Sequence, residues 1–110
     1  METTERIIKE YIANDGKNHF RIWHDGLKDL KARVKIDIRI AHLRLGNFGD
    51  AKSVGSGVYE LRIHFGPGYR IYYGLDGKEI VLLLCGGDKK TQKKDIKKAT
   101  LFWGAYKEGK

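Results

Sequence analysis

Apolar and polar residues alternate through Glu60-Leu-Arg-Ile-His-Phe65 and resume, beyond Gly66-Pro67-Gly68, in Tyr69-Arg-Ile-Tyr-Tyr73. A period of two marks a β-strand with one buried face, so this stretch predicts a hairpin. With Gly66-Pro67-Gly68 as a three-residue turn, Phe65 falls opposite Tyr69, His64 opposite Arg70, Ile63 opposite Ile71 and Arg62 opposite Tyr72. Leu61, Ile63, Phe65, Tyr69, Ile71 and Tyr73 then point toward a core. Glu60, Arg62, His64, Arg70 and Tyr72 share the opposite face.

The remaining pattern supplies the other elements. Arg6-Ile-Ile-Lys-Glu-Tyr-Ile12 predicts a first strand and Asn14-Asp15-Gly16 a turn. A short helix follows from about Lys17, with Phe20, Trp23 and Leu27 at helical spacing. Asp29 is placed to cap a second helix that runs to about Leu45, with Gly46 just past its end. Within it Val34, Ile36, Ile38 and Ile40 alternate as a strand would, whereas Leu30, Val34, Ile38, Ala41 and Leu45 form a helical stripe. Length and the Lys/Arg/Ala/Leu content favour the helix. Gly46-Asn-Phe-Gly-Asp50 and Gly55-Ser-Gly57 predict a long, mobile connection.

Asp76-Gly77 predicts a two-residue turn into Ile80-Val-Leu-Leu-Leu-Cys85, an unbroken apolar run suited to a strand buried on both faces. From Thr91 to about Tyr106, Ile96, Ala99, Phe102, Trp103 and Tyr106 fall on one helical face. The expected architecture is α+β, in the order β-α-α-β-β-β-α, with a mainly antiparallel sheet packed on helices. At 110 residues a single domain covering 1–110 is expected, and such a domain buries roughly two thirds of its unfolded surface.

Charge adds a direction. The chain carries 22 basic and 14 acidic residues, a net +8, and the second half holds most of the excess. Lys89-Lys-Thr-Gln-Lys-Lys-Asp-Ile-Lys-Lys98 alone contains six lysines and one aspartate. Lys93 and Lys94 fall in the first turn of the last helix, where the dipole disfavours cations, and Lys89 and Lys90 lie just before it. A phosphate there would be favoured by dipole and lysines together, whereas exposed, salt-screened lysines would simply cost little. The single cysteine, Cys85, leaves no internal disulfide and reads as a small buried hydrophobe. No apolar run approaches the ~20 residues of a membrane span, and the first residues lack a signal-peptide pattern. A soluble, cytoplasmic protein is expected, with no metal site and no cofactor.

Two guanidiniums, an imidazole and a phenol on one sheet face form the parts list of a ribonuclease. Cutting RNA requires the 2′-OH to lose a proton and attack the adjacent phosphate while the 5′-oxygen leaves with a proton. The phosphorane's extra negative charge needs fixed cations, and arginine's planar fork matches phosphate oxygens. Imidazole titrates nearest to neutrality, which makes His64 the best-matched proton carrier. Tyr72 could stack on a base or donate a hydrogen bond. Structural readings stand beside these: Arg62 paired with Glu60 or Asp95, His64 as an ordinary exposed strand residue, and His19, His24 and His42 as structural or solvent-facing. Trp23, Phe102 and Trp103 read as core.

Several motifs resemble one family. Gly46-Asn-Phe-Gly-Asp50, Val58-Tyr-Glu-Leu-Arg-Ile-His64, Gly66-Pro-Gly-Tyr-Arg70 and Leu84-Cys-Gly-Gly-Asp-Lys89, with Thr91-Gln92 and Asp95-Ile96, are similar to the RelE/ParE toxin superfamily. Trp23, Asp25-Gly-Leu-Lys-Asp29 and Ala32-Arg33 match its HigB-like "addiction module killer" branch. The resemblance covers about residues 18–99. It implies the toxin of a type II toxin–antitoxin module, neutralised by a helix-turn-helix antitoxin from an adjacent gene. Many such toxins cleave mRNA on the ribosome, and ParE-like members poison DNA gyrase. By motif, Arg70 matches the arginine that stabilises the scissile phosphate, Arg62 a basic residue on the preceding strand, and Lys89 or Lys90 a basic residue after the last strand. Where RelE proper has a C-terminal catalytic tyrosine this chain has Ile96, with Asp95 or Tyr72 as substitutes. The readings left open are an mRNA endonuclease, a gyrase poison and a non-catalytic nucleic-acid-binding module.

Overall fold

The computed structural model describes residues 5–109. In chain order these form β1 (Ile7–Glu10), α1 (His19–Gly26), α2 (Leu30–Arg44), β2 (Ala51–Gly55), β3 (Val58–Ile63), β4 (Tyr69–Asp76), β5 (Ile80–Gly87) and α3 (Gln92–Glu108). The strands make one five-stranded sheet in the order β1-β5-β4-β3-β2, with β1 parallel to β5 and every other pair antiparallel. The mixed α+β fold and mainly antiparallel sheet read from the sequence are therefore present. One element is added to the expected order.

That element is β2, which occupies the stretch expected to be a mobile connection. Ala51 pairs with Leu61, Lys52 with Glu60 and Ser53 with Tyr59. The turn into β3 places Ser56 at φ 55° and Gly57 at φ 83°. Both central residues are thus left-handed, the geometry that matches strand twist in a tight hairpin. Ala-Lys-Ser-Val-Gly is a short edge strand with an exposed lysine, so it carries little hydrophobic signal.

Loop lengths also differ from expectation. Ile63 pairs with Tyr69 and Arg62 with Arg70, so residues 64–68 form a five-residue loop in place of the three-residue turn. The loop closes on itself: Phe65 N donates to Ile63 O at 2.9 Å and Gly68 N to Phe65 O at 3.1 Å. Pairing has moved by two positions, an even number, so Glu60 to Ile63 and Tyr69 to Tyr73 keep their expected faces, whereas His64 and Phe65 leave the strand for the loop. The β4–β5 connection has three residues, because Asp76 pairs with Ile80.

The sheet is the middle of three layers. Leu61, Ile63, Tyr69, Ile71, Tyr73, Val81 and Leu83 pack against Phe20 of α1 and Ala32, Ile36 and Leu43 of α2. On the far side Val58, Tyr72, Leu82, Leu84 and Cys85 pack against Ala99 and Trp103 of α3. β5 is thus buried on both faces, as its apolar run requires. Tyr72 pairs with Cys85 but Tyr73 with Leu83, which leaves Leu84 as an extra residue, a bulge. It turns Leu84 and Cys85 to the same side. Burial pushes the Cys85 thiol up to about 12, in keeping with a packing role. No described helix is long and apolar enough to cross a membrane.

Helix ends follow their local chemistry. Asn18 accepts from Arg21 N at 3.0 Å to start α1, and Asp29 accepts from Lys31 N at 2.9 Å to start α2. α2 stops at Gly46, whose φ is 83°. Between α1 and α2 the buried imidazole of His24 sits 3.0 Å from Asp25 Oδ1 and 2.8 Å from Asp37 Oδ1, so this histidine is structural.

Two glycines bring the layers close. A Cβ on Gly74 would lie 2.3 Å from the Trp103 ring, and one on Gly86 would lie 2.2 Å from the Trp23 ring. Each indole rests on bare backbone, one on each face of the sheet. Gly74→Ala is therefore expected to destabilise by about 1–3 kcal/mol through overpacking. Tyr73→Phe is expected to leave stability unchanged or raise it, because the buried Tyr73 hydroxyl has no hydrogen-bond partner among the described residues. Urea unfolding of both variants, followed by fluorescence, reads the two opposite signs.

Candidate functional site

Arg62 and Arg70 are cross-strand partners on the α3 side of the sheet, about 5 Å apart at their Cα atoms in such a ladder. They lie at the loop end of the hairpin, where their side chains stay 32% and 12% exposed. The 64–68 loop folds around them and encloses an open cleft of about 450 Å³. Arg62, His64, Arg70 and Lys89 line it together with Phe65, Pro67 and Tyr69.

Each cation is held by a different device. The Arg70 side chain is only 12% exposed, and its Nε lies 3.4 Å from Glu60 Oε2, an ion-pair distance without hydrogen-bond alignment. Arg70 Nη1 donates to Gly68 O at 2.8 Å, which ties the guanidinium to the loop. Glu60 is fully buried. Its Oε2 accepts from Tyr72 Oη at 3.0 Å and from Gln92 Nε2 at 2.8 Å. A buried carboxylate therefore joins β3, β4 and α3 and sits behind Arg70.

Arg62 depends on Asp50, the residue just before β2. Arg62 Nη2 donates to Asp50 Oδ1 at 2.8 Å, and Arg62 N donates to Asp50 O at 2.9 Å. The other Asp50 oxygen bonds His64 Nε2. One carboxylate thus braces both an arginine and the imidazole, whose side chain is otherwise 75% exposed. Arg39 of α2 fixes the backbone around this carboxylate by donating to Arg62 O at 2.6 Å and to Phe48 O at 3.2 Å. The pairing expected from sequence, Arg62 with Glu60 or Asp95, gives way to Asp50 because the loop before β2 returns beside β3.

Not every candidate reaches the cleft. Tyr72 is fully buried under α3, and burial together with the Glu60 charge pushes its phenol far above the usual range. It cannot stack on a base from there; its hydroxyl serves Glu60. Asp95 is 4% exposed and accepts a hydrogen bond from Thr91 Oγ1. It lines a second cleft, with Trp23, Cys85, Lys94 and Lys98. Of the four candidate lysines at and before the start of α3, Lys89 lines the cationic cleft, Lys94 lines the second one, and Lys90 and Lys93 are exposed and line neither.

The arrangement missed in the sequence is the Asp50 brace and the Glu60 anchor. Both residues lay inside motifs already singled out. Asp50 falls in the stretch that reads as a mobile connection, and Glu60 on the polar face of the hairpin. The only available signal was that two carboxylates accompany the basic residues within the same motifs.

With this geometry established, comparison with known proteins identifies the family. Residues 31–101 match the family described as Phage derived protein Gp49-like. The chain belongs to that family. It is also 55% identical, over 83 residues, to an uncharacterized protein of Haemophilus influenzae; the match covers 76% of this chain and 84% of the relative.

Two measurements check the site. His64 first and Arg62 second hold the Asp50 carboxyl below its usual value of 3.8. The Asp50 contribution to stability is therefore present above that value and is lost as pH falls through the lower folded-state value. A carbon-13 titration should show a depressed Asp50 midpoint that moves back up in His64→Ala; an unchanged midpoint would refute the brace. Glu60→Ala should cost about 3–5 kcal/mol, because the largely buried Arg70 guanidinium, the Tyr72 hydroxyl and the Gln92 amide lose the carboxylate they share.

Proposed function

We propose that this protein is the toxin of a type II toxin–antitoxin module and that it inhibits translation by cutting mRNA on the ribosome. The convergence of Arg62, His64, Arg70 and Lys89 on one cleft supports this reading. So does the Gp49-like family membership, together with the motif likeness to RelE/ParE toxins. The partners are then the mRNA and the ribosome, and an antitoxin that keeps the protein inactive.

In the proposed reaction the scissile phosphate sits between Arg62 and Arg70, with Lys89 on its outer side. His64, oriented by Asp50, takes the proton from the 2′-OH. The 2′-oxygen attacks phosphorus, and the phosphorane's added charge falls on the two guanidiniums. The bond from phosphorus to the 5′-oxygen breaks, and that oxygen takes a proton from water in the open cleft. A 2′,3′-cyclic phosphate and a 5′-hydroxyl result. Arg70 is the most constrained of these groups, since Glu60 and Gly68 O fix two sides of it. Tyr72 acts behind the site by holding Glu60, and Asp95 packs the start of α3. Lys90, Lys93 and Lys94 extend the positive surface along which a nucleic acid would approach.

A gyrase poison on the same fold is the second reading. It is favoured by the interior positions of Tyr72 and Asp95, which remove both sequence-read substitutes for a catalytic tyrosine from the cleft. Purified protein on translating ribosomes, read by primer extension, separates the two. Discrete cuts that fall about 10²–10³-fold in Arg70→Ala are the expected result. DNA breaks with gyrase and intact transcripts would establish the second reading instead. RNA binding should weaken with salt by about 0.7 log units per log unit for each phosphate contacted on a single strand.

A further inference from the structure

Helix α2 is apolar on two opposed faces. Ala32, Ile36 and Leu43 are fully buried against the sheet. On the opposite side Leu30, Val34, Ile38 and Leu45 recur at helical spacing, with exposures of 67%, 57%, 49% and 48%. A surface helix needs only one apolar stripe to hold its place. The outer stripe is not needed to attach α2, and Leu30, Val34 and Ile38, one turn apart, form an apolar patch on a cationic protein.

The patch is shaped and charged. Leu30, Val34 and Ile38 form the floor of a shallow groove of about 430 Å³, with Lys31 and Lys35 along one margin. Among the described residues neither lysine has a carboxylate within ion-pairing distance. On the other margin Arg33 is occupied with the Leu27 and Asp25 carbonyls, and Asp37 is bonded to His24. Lys35 and Ile38 also line the adjoining hollow with His64 and Phe65, so the groove runs on toward the cationic cleft.

We propose that this outer face of α2 docks an amphipathic helix of another protein, with an aliphatic stripe flanked by Glu or Asp. An apolar stripe facing the groove would cover Leu30, Val34 and Ile38 at i, i+4 and i+8. Acidic residues beside it would meet Lys31 and Lys35. Charge argues against a second copy of this chain as the occupant. Antiparallel packing would set Lys31 and Lys35 of two copies against each other. Parallel packing would set them against a margin of Arg33 and Arg44 whose carboxylate, Asp37, is already engaged. Nucleic acid offers no aliphatic stripe. The inference does not depend on the nuclease reading.

The probe is a fluorescent synthetic helix with leucines at i, i+4, i+7 and i+11 and glutamates on both margins; a control peptide carries lysines in place of the glutamates. Anisotropy with the full chain should show binding of the glutamate peptide in preference to the lysine peptide. Val34→Asp and Ile38→Asp should each weaken it about tenfold or more. Both side chains are about half exposed, so circular dichroism and thermal melting should stay unchanged. The double change Lys31→Glu with Lys35→Glu should transfer preference to the lysine peptide. The proposal is overturned if neither peptide binds, if both bind equally, if Val34→Asp leaves affinity intact, or if sedimentation shows a dimer of the protein alone that Val34→Asp disperses.

Discussion

A single buried carboxylate organises the α3 side of this protein. Glu60 is fully enclosed, yet it accepts from a tyrosine on the neighbouring strand and a glutamine on the last helix, and lies against the Arg70 guanidinium. Burying a carboxylate is costly unless charge and hydrogen bonds compensate it. Here the compensation comes from three side chains on two other elements, Tyr72 and Arg70 of β4 and Gln92 of α3, so the sheet, the start of α3 and the arginine must be in place together. That requirement fixes Arg70 at the rim of the covered zone, where its outer edge faces the cleft. Arg62, one rung across, has no such anchor and is steadied from the other side by Asp50.

The two carboxylates do different work. Glu60 is internal and neutralises the part of Arg70 that water cannot reach. Asp50 lies near the surface and orients Arg62 and His64 at once, leaving the imidazole largely open to solvent. A phosphate entering the cleft would meet cations whose positions are already set, and little reorganisation would be needed to receive its charge. Arg39 extends this order to α2, since its guanidinium holds the carbonyls of Phe48 and Arg62 that flank the brace.

The same helix faces two ways. Its inner stripe packs on the sheet and its outer stripe is left to solvent, with the groove it forms continuing toward His64. A partner seated there would stand at the edge of the cationic cleft.

What the sequence determined by itself was periodic and local. Alternation assigned Glu60, Arg62, Arg70 and Tyr72 to one side of the sheet, and a two-residue change in pairing left that assignment intact because faces repeat every second residue. The caps at Asp29 and Gly46, the doubly buried β5 and the inner face of α3 were likewise legible, since each depends on neighbours in the chain. Tertiary packing decided the rest. Whether the polar face of the hairpin met water or a helix depended on where α3 lay, and that separated the enclosed Tyr72 and Glu60 from the accessible Arg62. β2 became a strand only because β3 offered it an edge. Helix α2 carries two apolar stripes, and the one read from the sequence, Leu30, Val34, Ile38, Ala41 and Leu45, is not the one that packs in the core. The sheet took the one carrying Ala32, whose small side chain lets the helix approach closely, and left Leu30, Val34 and Ile38 outside.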